Sequence, residues 1–276
     1  MMRLILCLII LMVPSLGAAQ GDRRPSHCIA IAQNTPGIEF LHKAAYTDPV
    51  SENSVRLQYL DHAMFLLQTN GGVSAVTDFV GRTGLPEFVP DIVTMNHAHN
   101  SHWTAAPDER ITHVLKGWGV GEPADHHLDL GEMLVRNVTT DIRSPYQDRI
   151  EEDGNSIFIF EVAGLCIGHL GHLHHEPDPS QYAAIGRLDV AIVPVDGGLT
   201  VDIATMQRIV RQIRASYVIP MHWFSNYSLE QFMVGLGDEF EIERAGGSEV
   251  TVSLRSLPSR PTILVLEPMT PPVFYE

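Results

Sequence analysis

The chain is 276 residues long and sets 18 Lys and Arg against 33 Asp and Glu, a formal charge of −15. An acidic chain without a basic run is unsuited to a phosphate backbone, so nucleic acid is not an expected partner. The length suits one large domain with a sizeable core, and none of the 3 cysteines lies in a CxxC pair, which argues against a cysteine zinc site.

Arg3, the apolar run 4–13 and Gly17-Ala18-Ala19 read as a secretory signal over residues 1–19, cleaved before Gln20. The run is short for a membrane span. The expectation is an exported protein, periplasmic or secreted, with a single domain over residues 20–276 and no stable membrane insertion once the signal is removed. Cys7 leaves with the signal. Cys28 and Cys166 remain, and an oxidising compartment permits their pairing without requiring it.

Residues 20–53 read as an irregular or partly helical lead-in. From residue 54 the pattern has period 2: Val55, Leu57 and Tyr59 alternate with polar neighbours, and 63–67 pairs with 73–76 across Asn70-Gly71-Gly72. Further strands are expected at 91–95, 133–138, 157–162, 165–170, 190–195, 217–221 and 263–266, while 103–131 reads as a Gly-, Pro- and Asp-rich loop. Ile203, Met206, Ile209, Val210 and Ile213 form one apolar stripe, which predicts a helix over about 201–215 with Thr200 as its N-cap. A shorter helix is expected at 229–235. Early hairpins followed by a β-α-β unit suggest two mixed sheets packed together, with helices outside.

Histidines collect where these strands end. His97, His99 and His102 follow the run at 91–95; His172, His174 and His175 follow 165–170; His222 follows 217–221. Neutral imidazole is the commonest zinc ligand among side chains, and strand-like runs that each end in His are how a metal site at a sheet edge reads in sequence.

Several stretches in order resemble the metallo-β-lactamase fold superfamily, and within it the small metal-dependent hydrolases akin to ascorbate-6-phosphate lactonase. Residues 59–66 resemble the family's opening GHAsF strand, with Asp61 in the glycine position, and Val76-Thr77-Asp78 resembles the strand carrying its structural Asp. Residues 97–102 are similar to its HxHxDH signature. Asn155-Ser156-Ile157-Phe158 with His169-Leu170-Gly171-His172, then 189–198 and Ile219-Pro220-Met221-His222, resemble the family's later motifs, so the likeness spans about 54–225. The resemblance implies a four-layer αββα sandwich, with one or two metal ions at one edge activating water to hydrolyse an ester, lactone, amide or phosphoester.

The departures bear on the metal. Ser101 stands for the Asp of HxHxDH, His172 for the Asp normally shared by two metals, and Val138-Thr139-Thr140-Asp141 where a further His is usual. Loss of both carboxylates weakens a second ion more than the first. The implied ligands are His97, His99, His172 and His222, holding one zinc ion, with copper or iron also compatible with imidazole-rich coordination. His102 and His62 are the candidate catalytic groups; Asp78, Ser101 and His169 stand behind or beside the ligands. His174 and His175 read better as a solvated pair than as replacement ligands, and His126 and His127 as surface residues. Trp103 and Trp223 suit a pocket wall and the core equally. The leading expectation is an exported metal-dependent hydrolase of a small molecule, its oligomeric state open. The alternatives are a hydrolytically inactive relative that binds metal or a small molecule, and a different metal chemistry.

Overall fold

Period-2 alternation governs the first strand. In Ser54–Asp61 (β1), Val55, Leu57 and Tyr59 face one core, while the polar side chains between them face the other way. Met64–Thr69 (β2), Ser74–Val76 (β3), Ile92–Met95 (β4) and His113–Lys116 (β5) continue the same sheet. The computed structural model describes residues 24–29, 46–85, 87–97, 100–143 and 150–270. The expected signal segment, most of the lead-in and His99 lie outside them.

The second half adds His127–Asp129 (β6), Met133–Arg143 (β7), Ile150–Val162 (β8), Leu165–His169 (β9), Pro179–Ile185 (α1), Val190–Pro194 (β10), Ile203–Ile213 (α2), Tyr217–Met221 (β11) and Asn226–Val234 (α3). Glu241–Arg244 (β12), Glu249–Ser253 (β13) and Thr262–Val265 (β14) close the chain. One sheet has six strands in the order β13-β1-β2-β3-β4-β5, the other eight in the order β12-β14-β11-β10-β9-β8-β7-β6. Each is mixed: β3, β4 and β5 run parallel, as do β9, β10, β11, β14 and β12.

The facing sheets bury a shared core that includes Phe65, Phe158, Phe160, Ile192 and Met221. On the outer face of the larger sheet, Ile157, Ile159 and Val193 meet Met206, Ile209 and Val210 of α2 and Leu229 and Phe232 of α3. The expected αββα-type sandwich is therefore present. Among the described residues its helices lie on the larger sheet, and the outer face of the smaller one is covered by loop residues such as Phe79, Phe88, Ile111 and Trp118.

Three details differ from the sequence reading. The N-cap of α2 is Asp202, which accepts from Thr205 N, because Thr200 instead gives its hydroxyl to Asp196 Oδ2 at 2.6 Å. The short strands β5 and β6 lie inside the region read as loop, and β12 and β13 follow α3; edge pairing holds them where their own patterns are weak. The helix α1 was not expected; Asp178 and Gln181 form a capping box ahead of it. Cys28 and Cys166 form a disulfide with Cα atoms 5.8 Å apart, which resolves the pairing the sequence left open.

Candidate metal centre

The C-terminal ends of the parallel strands in both sheets meet along one edge, where ligands bind in open α/β sheets. A register shift between Tyr59 and Asp61 ends β1, and the turn that follows places His62 at φ 44°. Asp78, just past β3, has φ 42°, and His222, just past β11, has φ 56°. Left-handed backbone at a residue other than glycine costs on the order of 1–3 kcal/mol and persists only where the surroundings impose it. Here they do. His222 N donates to His62 O at 3.0 Å, and the buried Tyr59 hydroxyl donates to the same carbonyl at 2.6 Å. Two turns 160 residues apart in sequence are thus joined backbone to backbone.

Two carboxylates orient two imidazoles. Asp78 Oδ2 lies 2.7 Å from His102 Nδ1, while its Oδ1 accepts from Asn96 Nδ2 at 2.8 Å. Burial pushes the Asp78 carboxyl up to about 6, against the lowering effects of His169, the Asn96 amide and His222. Asp196 Oδ2 lies 3.0 Å from His222 Nδ1, and its Oδ1 accepts from the N–H groups of Gly198, Leu199 and Thr200. Burial opposes ionisation of Asp196, yet the bonds from His222 and Thr200 hold its carboxyl well below the usual range. An imidazole that donates from Nδ1 keeps a lone pair on Nε2.

The consequence is an acceptor pair. Nε2 of His102 and Nε2 of His222 face each other at 3.2 Å in a buried site. Two lone pairs held this close call for a cation between them. Tetrahedral ligands about 2.05 Å from one zinc ion stand roughly 3.3 Å apart, so the pair fits chelation of a single ion. His62 completes the group: ligand atoms of His62, His102 and His222 all lie within 4.8 Å of one another. His62 and His222 open onto a cavity of ≈ 580 Å³, whose rim carries Asp61, Arg82 and Ser101 and whose apolar wall includes Trp223 and Phe224.

The set expected from the sequence is only partly gathered. Among the described residues, His222 is in the cluster with His102 and His62, and His97 is not. His97 is turned away: its ring stacks on Trp118 at 4.7 Å and 17°, and its Nδ1 lies 3.4 Å from Glu151 Oε1. The large indole surface competes for the imidazole, and strand-end position alone does not reveal that. His99 lies outside the described residues. His172 is buried against the cluster, its ring 4.7 Å from that of His102 and 5.0 Å from that of His222. His169 stands behind the site with both ring nitrogens engaged, by Ala63 O at 2.8 Å and Gly171 N at 3.2 Å, and burial pushes its pKa down. Ser101 is exposed on the cavity rim.

Three supports went unread in the sequence. Asn96 holds Asp78 and also accepts from Ser156 N at 2.9 Å. Asp196 appears in the sequence only as a residue before two glycines, and Tyr59 only as a strand residue. Gly171, at φ 59°, leaves room for Asn96: a Cβ there would stand 2.4 Å from Asn96 Nδ2. Trp103 packs with the outer core of the smaller sheet and against Trp118, whereas Trp223 lines the cavity. His126 is more than a surface residue, since its Nε2 lies 2.6 Å from Lys116 O.

Paired sheets with a histidine cluster at their common edge define a metal-binding class of α/β sandwich. The chain belongs to the β-lactamase superfamily: the family model described as "Beta-lactamase superfamily domain" matches residues 56–222, more than half of the chain. A UPF0173 metal-dependent hydrolase from Methanosphaerula palustris is 28% identical over 192 residues, covering 64% of this chain and 87% of that protein. A second, from Methanoculleus marisnigri, is 28% identical over 187 residues, covering 61% of this chain and 81% of its own. A crystal structure from Thermotoga maritima, assigned as a Zn-dependent hydrolase of the metallo-β-lactamase superfamily, superposes with a TM-score of 0.55 at 25% identity, over 77% of this chain and 98% of that one.

Proposed function

We propose that this protein is an exported hydrolase that uses one metal ion, zinc, to cleave an ester, lactone, amide or phosphoester of a small molecule. The observation that carries the reading is the acceptor pair of His102 and His222, completed by His62 beside an open cavity. Three protein ligands with an open position are the usual makeup of a catalytic zinc site. The names of the relatives from Methanosphaerula palustris and Methanoculleus marisnigri support the metal-dependent hydrolase reading.

When bound, such an ion supplies Lewis acidity and water that ionises near neutral pH. The chain supplies the rest. Asp78 and Asp196 hold the imidazoles in the tautomer that accepts the ion. The Trp223 and Phe224 wall takes the apolar part of a substrate, and Arg82 offers a cation at the rim. The Cys28–Cys166 disulfide supports export, since such bonds persist in oxidising compartments.

Metal analysis of protein purified without added metal tests the reading, together with a screen of lactone, aryl-ester, amide and phosphodiester substrates. One zinc equivalent per chain, lost in His102→Ala and His222→Ala, and turnover of one substrate class are expected. Retention of copper or iron instead points to a different chemistry at the same imidazoles. No turnover by the metal-loaded protein on any class refutes the hydrolase.

A further inference from the structure

The cavity beside the cluster has two unlike sides. Arg82 follows β3, and Asn100 and Ser101 follow β4, so loops of the six-stranded sheet bring to it a guanidinium, an amide and a hydroxyl. Leu199 follows β10, and Trp223 and Phe224 follow β11, so loops of the eight-stranded sheet bring to it an apolar wall. His62 and His222 lie where the two sheets meet, because the bond from His222 N to His62 O joins them. A ligand that fills the ≈ 580 Å³ touches both sides at once, with the cluster between them.

Arg82 stands ready for an anion. Arg110, Arg211, Arg244 and Arg260 are each tied to a carboxylate. Arg82 is exposed and makes no ion pair or hydrogen bond among the described residues. Its charge is felt by Asp61 on the same rim, without a bond between them. The backbone that carries it is fixed from both sides. Gly81 before it has φ 99°, and a Cβ there would stand 3.3 Å from Thr104 Oγ1. Thr83 after it is buried, and its hydroxyl accepts from Leu85 N at 3.2 Å. A loop set before the ligand arrives loses less freedom on binding. Asp61 then limits the charge that is welcome. A phosphate monoester carries about −1.5 to −2 at neutral pH, so the Asp61 carboxylate repels it more than it repels a singly charged carboxylate.

We propose that the cavity takes an amphipathic monoanion, with its carboxylate on Arg82 and the neighbouring donors Asn100 and Ser101, and its apolar body against Leu199, Trp223 and Phe224. The guanidinium fork matches a carboxylate in shape and charge. The middle of such a ligand lies over the histidine cluster, where a scissile bond belongs. That the ligand is the substrate rests on the hydrolase reading above; the binding site itself does not.

The test is calorimetric titration of the full-length protein with phenylbutyrate, its neutral counterpart phenylbutanol, and phenylbutyl phosphate. Each titration is run with metal bound and again after chelation. The acid is expected to bind more tightly than the alcohol, and, in the chelated protein where no ion competes for it, more tightly than the phosphate. Arg82→Gln is expected to weaken the acid about 10-fold, the worth of one charge-assisted bond, and to leave the alcohol unchanged. Arg82→Lys, which keeps the charge but not the fork, recovers part of that loss. Phe224→Ala is expected to weaken acid and alcohol alike. Equal binding of acid and alcohol by the parent overturns the proposal, as does unchanged affinity for the acid in Arg82→Gln. Loss of the Arg82 dependence on chelation places the anion on the ion and overturns it too. Tighter binding of the phosphate by the chelated protein refutes the choice of a monoanion, and Phe224→Ala without effect refutes the placing of the apolar body. Absence of turnover with the binding pattern as stated sinks the hydrolase and leaves this site standing; turnover without any Arg82 dependence does the reverse.

Discussion

At the residue scale, the centre depends on carboxylates that orient its imidazoles. Asp78 and Asp196 each fix one imidazole through Nδ1, and each is itself fixed, by Asn96 and by the 198–200 loop. Partners of this kind are worth 10- to 100-fold in metal affinity. Asp78→Asn and Asp196→Asn are each expected to weaken metal binding by about that factor, measured by competition with a chromogenic chelator. His169→Gln, whose parent ring bonds the Ala63 and Gly171 backbone, is expected to change it far less. The positions of the histidines were legible before the structure, because strand-end His residues can be counted. Which of them converge was not, since His97 and His102 follow the same strand, yet His97 stacks on Trp118 beside Glu151 while His102 meets the buried Asp78.

At the scale of elements, the buried pair of Arg136 on β7 and Glu161 on β8 ties the larger sheet to α1 and to the residues before the disulfide. Arg136 Nε donates to Glu161 Oε1 at 2.9 Å, and its other nitrogens donate to Ala184 O and Ile185 O. Ser26 Oγ and His27 N donate to the same carboxylate. Burial opposes ionisation of Glu161, but the bonds from Ser26 and Arg136 and the charge of His27 outweigh it, and the net pKa is lowered. A group depressed on folding stabilises fully above its unfolded pKa, about 4.3 for Glu, and the contribution is lost as pH falls through the lower folded value. Glu161→Gln is therefore expected to lower stability at neutral pH by about 3–5 kcal/mol, the cost of leaving a buried partner charge. The deficit should shrink as urea melts are carried to acid pH; a deficit that does not change with pH contradicts the assignment.

At the scale of the whole molecule, the Cys28–Cys166 bridge spans 138 residues and pins the chain before the first sheet to β9 of the second. Closing so long a loop restricts the unfolded chain and is worth about 2–5 kcal/mol. Cys28→Ser, or reduction of the parent, is expected to lower the thermal midpoint measurably, while metal stoichiometry stays the same because the bridge lies away from the cluster. Loss of metal on reduction would mean that β9 cannot hold its register without the bridge. Bound metal should raise the midpoint with the logarithm of its concentration over Kd, as for any ligand specific to the folded state.

Local pattern by itself determined much of this protein. Period-2 alternation specified β1, continuous apolar runs specified β2 and the buried parallel strands, and one helical stripe specified α2. These signals survive in sequence because each element must present its own apolar face, whatever its neighbours do. The edge strands β5, β6 and β12 were not legible, as their partners rather than their side chains hold them. The site was decided by tertiary structure. His62 and His222 meet because a backbone hydrogen bond joins two left-handed turns from different sheets. Likewise, whether an imidazole offers a lone pair or a proton depends on the group at its other nitrogen, Asp78 or Asp196, each set by packing and not by spacing.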